Sequence, residues 1–263
     1  MSEAVHYERV QEHLENLKLF ASLNELASLL EAGSREERSV TWFLDELLTG
    51  KVTHRFERRV AANLRLSGIP IRKTLDTFDY EAQTGVPKRT VEELATLRFV
   101  HNGENVLILG PTRVGKTHLA IGLALKAIEH GHKVYFLTLH DLINKFRIAR
   151  ERNKLHYMHS SILRADVFVL DEVGFQVLER DDAAFLFEVI NKRYVASKST
   201  ILTNNKSYGQ WHEIFPDSVL TAALLDRLLH RANTINIQGD SYRLRHCKQA
   251  RLPDLTPQEV PTK

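Results

Sequence analysis

Apolar residues recur at helical spacing through the first seventy positions, at Leu14, Leu17 and Ala21 and again at Leu26, Leu29 and Leu30. Ala32-Gly33-Ser34 reads as a stop followed by a new start, with Ser34 as N-cap and Glu37 completing a capping box. The next helix carries Trp42, Phe43, Leu47 and Leu48 and is expected to end near Thr49-Gly50. A basic helix then runs to about Leu66 and closes at Ser67-Gly68-Ile69-Pro70. Nothing here alternates with a period of two, so residues 1–69 read as a small all-helical domain. From Thr90 the pattern changes. Short β-rich apolar runs at Val106–Leu109, Val134–Thr138, Val167–Leu170, Thr200–Thr203 and Ile235–Ile237 alternate with helical stretches such as His118–Glu129 and Ala183–Tyr194. Strands separated by helices imply an α/β domain with a parallel sheet covered on both faces, here residues 70–251. The tail, 252–263, carries three prolines and reads as loose.

Composition narrows the class. The chain has 263 residues, 43% hydrophobic and 26% charged, which suits a globular protein. Charges every few residues through Met1–Leu30 leave no room for a signal peptide, and no run approaches the roughly 18 apolar residues of a membrane span. A single cysteine, Cys247, excludes an internal disulfide and fits the cytoplasm. The 13 histidines lack the second ligand pair that a zinc site needs and read as surface or packing residues. Net charge is only +3, but it is unevenly spread. Lys51, Arg55, Arg58, Arg59 and Arg65 face one acid, Glu57, and Lys145, Arg147, Arg150, Arg152 and Lys154 face Glu151 alone. Such stretches suit phosphate contacts, or else a solvated helix face.

The strongest chemical signal is Gly110-Pro111-Thr112-Arg113-Val114-Gly115-Lys116-Thr117, a match to G-x-x-x-x-G-K-[ST] placed between a strand and a helix. Glycines let consecutive backbone N–H groups turn toward phosphate oxygens, and the helix adds its positive end. Lys116 is expected to reach the β- and γ-phosphates of ATP and Thr117 to ligate Mg2+, with His118 directly behind them at the nucleotide. Arg113 stands where such loops often have another glycine, so a positive φ there would strain it.

A second acidic element must organise the metal and the water. Val167–Leu170 leads into Asp171, expected to hold Mg2+ through water beside Thr117, and Glu172, expected to be the general base. A polar side chain at Asn204 or Asn205, after the next strand, would orient the attacking water. Arg227 lies in the apolar run Leu224–Leu229 and needs an anion. It would find one in a neighbouring subunit's γ-phosphate or in an internal pair with Asp226. Arg243 or Arg245, after the last strand, would contact the phosphates of its own subunit.

These motifs together resemble AAA+ ATPases of the IstB/DnaC type, and among them most nearly the IstB-like helpers of insertion-sequence transposition. The resemblance is carried by LATLRFVHNGENVLILGPTRVGKTHLAIGLA, VLDEVGF, STILTNNKSYGQW, LLDRLLHRA and GDSYRLR, in family order over more than half of the chain. It implies a five-stranded P-loop sheet of order 5-1-4-3-2 with a reduced lid. It also implies homo-oligomers with ATP between subunits, assembly on duplex DNA without sequence preference, and a cognate transposase as partner. By position it makes Lys116 and Thr117 the Walker A pair, Asp171 and Glu172 the Walker B pair, and Asn205 the sensor. Arg227 becomes the trans-acting arginine and Arg243 the second sensor, and Thr77, Phe78 and Asp79 lie near the base. Thr112-Arg113 replaces the family's Pro-Gly, and Asn204 stands where a serine is common. A replicative helicase loader is the alternative within the same resemblance. A small-molecule P-loop kinase would leave Asn205, Arg227 and the basic stretches without a task.

Overall fold

The computed structural model describes residues 3–83 and 85–238. Arg243, Arg245, Cys247, the 252–263 tail and the lid implied after the last strand lie outside the described residues. The chain divides into two compact units, Met1–Ala62 and Asn63–Lys263.

The first unit is built from α1 (Glu3–Asn16), α2 (Phe20–Arg35) and most of α3 (Val40–Leu66). Each helix supplies one leucine, Leu14, Leu26 and Leu47, to a small core against which Tyr7, Leu23 and Phe43 pack. The Ser22 hydroxyl ties α2 to α3 by donating to the Leu47 carbonyl at 2.5 Å. Three helix limits differ from the pattern reading. The chain breaks at Leu17–Leu19, where Lys18 takes a left-handed φ of 55° and Leu17 is exposed. α2 runs through Gly33 and Ser34, so the N-cap task passes to Ser39, whose Oγ accepts from the Trp42 N–H at 3.1 Å. α3 continues unbroken through Gly50. A glycine inside a helix costs only about 1 kcal/mol, less than the packing on either side returns.

The second unit carries β1 (Asn105–Leu109), α6 (Lys116–Glu129), β2 (Val134–Thr138), α7 (Leu139–Glu151) and α8 (Leu155–Arg164), after the short helices α4 (Lys88–Ala95) and α5 (Arg98–Asn102). β3 (Val167–Asp171), α9 (Arg180–Val195), β4 (Ser199–Asn204), α10 (Ser218–Leu229) and β5 (Ala232–Asn236) follow. The strands pair in parallel in the order β2-β3-β4-β1-β5, which is the 5-1-4-3-2 sheet expected. β5 begins three residues before its apolar run. Its Ala-Asn-Thr start has little strand character and is drawn in by pairing with Asn105–Leu107 of β1.

Side chains alternate across the sheet. Leu107, Phe168, Leu170 and Leu202 join Leu142, Phe146, Ile162, Phe185, Leu186 and Leu224 of α7–α10 in the main core. α6 packs over β1, β3 and β4, and every residue of those three strands is buried. This sheet order puts the carboxyl ends of β1, β3 and β4 side by side, where the crevice of an open parallel sheet takes its ligand. Among the described residues no helix is long and apolar enough to cross a membrane.

Candidate nucleotide-binding site

The chain leaves β1 at Leu109 and enters α6 at Lys116, and the residues between form the phosphate loop. Gly115 caps α6 with φ 98°, and a Cβ there would come within 2.6 Å of the Phe78 ring. Only glycine fits between that ring and the helix start. Lys116 is buried and folds back over the loop, its Nζ donating to the carbonyls of Gly110 (2.8 Å) and Pro111 (2.5 Å). Burial lowers its pKa, and the charges of Asp171 and Glu172 act in the opposite direction. Arg113 has φ 66°, in the left-handed region that the sequence reading raised as a source of strain.

Asp171 ends β3 almost fully buried, and the Thr117 hydroxyl reaches its two carboxylate oxygens at 3.0 and 2.9 Å. Loop and strand end, 54 residues apart in the chain, thus meet at a hydroxyl and a carboxylate. Hard oxygen donors of this kind suit Mg2+. Glu172 follows at φ 62°, with its side chain exposed toward the cleft. Partial desolvation, then the charges of Asp171 and Asp141, hold its pKa above the usual glutamate value, with Lys116 opposing.

Asn204 is fully buried. Its Oδ1 accepts from the Lys206 N–H at 2.9 Å, while its Nδ2, like the Oδ1 of Asn205, has no hydrogen-bond partner among the described residues. Both asparagines press against Gly174, where a Cβ would collide with either side-chain oxygen. A cleft of about 700 Å³ extends from Phe78 and Gln83 along the loop to Glu172, Phe175 and Asn205, a size usual for nucleotide-sized ligands. His118 lines it beside Phe78, edge-on with ring centroids 5.2 Å apart. Its Nε2 lies 2.8 Å from the Thr74 carbonyl and therefore carries the proton. Burial lowers its pKa more than that hydrogen bond raises it.

The remaining candidates lie apart from the cleft. Arg227 donates to Asp226 at 2.7 Å and to Asn191 at 3.2 Å and covers the Tyr194 ring at 5.0 Å. It does not line the cleft of its own chain. On α3, Arg55, Arg58 and Arg59 are exposed and unpaired with acids among the described residues; Arg59 lies 5.1 Å over Phe56, and Lys51 donates to the Lys18 carbonyl. The second basic stretch is partly neutralised by the start of α9. Arg147 pairs with Asp182 (2.6 Å) and Glu179 (3.0 Å), and Arg150 pairs with Asp181 (2.7 Å). Lys145 lies over Tyr135 and donates to its hydroxyl, while Arg152 and Lys154 are exposed.

Two residues here escaped the sequence reading. Gln83 is buried and donates from Nε2 to the Val114 carbonyl at 3.0 Å, and Thr203 bonds to both Asp171 and Glu172. Neither belongs to a spaced motif. Thr203 announces itself only by being a hydroxyl at the end of a strand next to the Asp171 strand.

Known proteins bear on the same residues. Residues 12–250 match the family of IstB-like ATP binding proteins. The chain is 42% identical over 238 residues to an ATP-binding protein of insertion sequence IS5376 from Geobacillus stearothermophilus, covering 90% of this chain and 94% of that one. It is 40% identical to the corresponding protein of insertion sequence IS21 from Pseudomonas aeruginosa, over 90% of this chain and 89% of that one. In fold, it resembles the crystal structure of the DnaC helicase loader, with a TM-score of 0.55 and 23% identity over 63% of this chain and 96% of that one. It likewise resembles AMPPCP-bound DnaA from Aquifex aeolicus, with a TM-score of 0.56 and 18% identity over 70% of this chain and 55% of that one. A family match across nearly the whole length, carried on this sheet, makes the chain a member of the IstB-like ATP-binding proteins of IS21-type insertion sequences, with an AAA+ P-loop fold.

Proposed function

We propose that this protein hydrolyses ATP with Mg2+, assembles as a homo-oligomer on duplex DNA in the cytoplasm, and helps a cognate transposase to use its target. The observation that carries the reading is the meeting of Thr117 with Asp171, which joins the phosphate loop to the acidic strand end. Lys116 binds the β- and γ-phosphates, with the loop's N–H groups and the start of α6 completing the cradle. Thr117 and Asp171 would hold Mg2+, which would neutralise charge on the phosphates. Glu172 takes the proton of the attacking water, whose oxygen bonds to the γ-phosphorus as the bond to the bridging oxygen breaks. ADP and inorganic phosphate leave. Asn205 orients the water, and Phe78 and His118 border the base. Arg227 of one subunit stabilises the charge that develops in the site of the next, and Arg243 acts within its own.

DNA contact is assigned to sequence-independent phosphate pairing. Its foremost donors are Arg55, Arg58 and Arg59 of α3, with Lys51, Lys145, Arg152 and Lys154 adding charge. Arg147 and Arg150 contribute only if they leave their acids. The insertion-sequence relatives favour a transposase as partner. Likeness to a helicase loader is a likeness of fold.

The test combines hydrolysis with imaging on duplex and single-stranded DNA, each with ATP, ADP or no nucleotide. Lys116-dependent hydrolysis and ATP-dependent oligomers on duplex are expected. A preference for single strands, or assembly only when a helicase is added, would replace the transposition reading with the loader reading.

A further inference from the structure

Thr203 is buried at the next-to-last position of β4, and its one hydroxyl serves two consecutive residues, Asp171 at the end of β3 and Glu172 just after it. It accepts from the Glu172 N–H at 3.0 Å, and its own proton goes to Asp171 Oδ1. An N–H can only donate and a carboxylate only accepts, so the direction of both bonds is fixed. The β3–β4 ladder pairs residues as far as Leu170 with Leu202 and stops there. Beyond it, this side chain joins the two strand ends. Asp171 is therefore gripped by two hydroxyls, Thr203 on the sheet side and Thr117 on the loop side. Glu172, in turn, is held by its N–H at φ 62°, in the left-handed region that an ordinary residue adopts only under strain.

We propose that Thr203 is a positioning residue for the metal: it fixes the carboxylate of Asp171 to receive hydrated Mg2+ and fixes the backbone that aims Glu172. This rests on the reading of Asp171 as the magnesium-organising acid. A residue that merely closes the sheet would affect folding but not the demand for metal. One that positions the acid affects the demand for metal while leaving the rest of the nucleotide contacts intact.

The full-length chain is compared with Thr203→Val, which keeps the shape and loses the hydroxyl, and Thr203→Ser, which keeps the hydroxyl. The readout is the Mg2+ concentration that half-saturates binding of a fluorescent, non-hydrolysable ATP analogue. Thr203→Val is expected to raise that concentration by about 10- to 100-fold, the usual effect of losing a partner that orients a metal ligand, with analogue binding in chelator unchanged. Thr203→Ser is expected to restore the wild-type value. An unshifted magnesium demand in the valine variant, or a serine variant as impaired as the valine one, overturns the proposal. The valine variant leaves a Glu172 N–H unpaired; if it does not fold, Thr203→Cys is measured against serine in its place. Lys116→Ala is measured in parallel. Full analogue binding without Lys116 would overturn the nucleotide-site reading itself, whereas Lys116-dependent binding with an unshifted magnesium demand overturns only the role of Thr203.

Discussion

The Gln83 side chain supports the phosphate loop from outside it, its Nε2 donating to the carbonyl of Val114 at 3.0 Å. Val114 is fully buried, so this bond anchors the crest of the loop to the segment that also carries Phe78. Replacing Gln83 by leucine removes the donor and leaves the buried carbonyl unpaired, a cost of about 1–3 kcal/mol. We expect Gln83→Leu to weaken ATP binding measured by calorimetry, with thermal stability falling by a similar energy. Unchanged affinity would show that the loop holds its shape without this bond.

Arg113 occupies φ 66°, where glycine is the least strained residue. An L-residue gives up about 1–2 kcal/mol in the left-handed region. We expect Arg113→Gly to raise the urea midpoint of the second unit by an energy near the lower end of that range, since glycine also loosens the unfolded chain. Arg113→Val, β-branched at the same φ, is expected to lower it. If the two variants unfold at the same midpoint, the loop does not store this strain.

Gly174 allows the turn after Glu172 to lie directly on Asn204 and Asn205. A methyl group at this position must push the asparagine side chains away, and overpacking of this kind costs about 1–3 kcal/mol. Gly174→Ala is expected to slow hydrolysis more than it weakens ATP binding, because it displaces the asparagines rather than the loop. Equal losses in the two measurements would instead mean that the whole strand end has collapsed.

Much of this architecture was legible in the sequence, and the limits have physical causes. Val106–Leu109 and Val167–Leu170 stand out because a strand buried on both faces must be apolar throughout, and Val134–Thr138, half-buried at Tyr135 and Thr138, by its β-favouring residues. The loop Gly110–Thr117 stands out because wrapping phosphate needs glycines at fixed spacing. Gly33 and Gly50 misled because a glycine is a local signal, and tertiary packing of α2 and α3 overrides it. The partners of Arg147 and Arg150 lie 31 to 35 residues away on α9, so a locally basic stretch gave no sign that it is half neutralised. Gln83 with Val114 and Thr203 with Asp171 are contacts between separate elements, 31 and 32 residues apart, and no spacing rule encodes them.

Asp166 provides a pH-dependent check on the second unit. Burial pushes its carboxyl up, but the Lys198 ammonium at 2.6 Å and the Lys133 N–H outweigh this and hold its pKa below the ordinary value. A depressed carboxylate adds stability that is present above its unfolded-state pKa and lost as pH falls through its folded-state pKa. Both partners are about one-third exposed, so the ion pair contributes no more than about 1 kcal/mol. Asp166→Asn is expected to lower the melting temperature at neutral pH and to converge with the wild type in acid. A gap that persists in acid would assign the loss to the asparagine's packing rather than to charge.

Arg227 separates a single-chain site from a shared one. Within its own chain it is occupied by Asp226, Asn191 and the Tyr194 ring and takes no part in the cleft. If it stabilises transferring phosphate, it must leave Asp226 and do so in the cleft of a neighbour. Arg227→Ala is then expected to bind ATP normally and to lose hydrolysis by about 10³-fold or more, as arginine fingers do. Lys116→Ala is expected to lose nucleotide in its own cleft while its Arg227 stays intact. Mixing the two inactive variants creates some interfaces with a complete cleft on one side and an intact arginine on the other. Hydrolysis should therefore reappear in the mixture and peak near equal amounts. A mixture as inactive as its components would place the role of Arg227 within its own subunit, in the pair with Asp226.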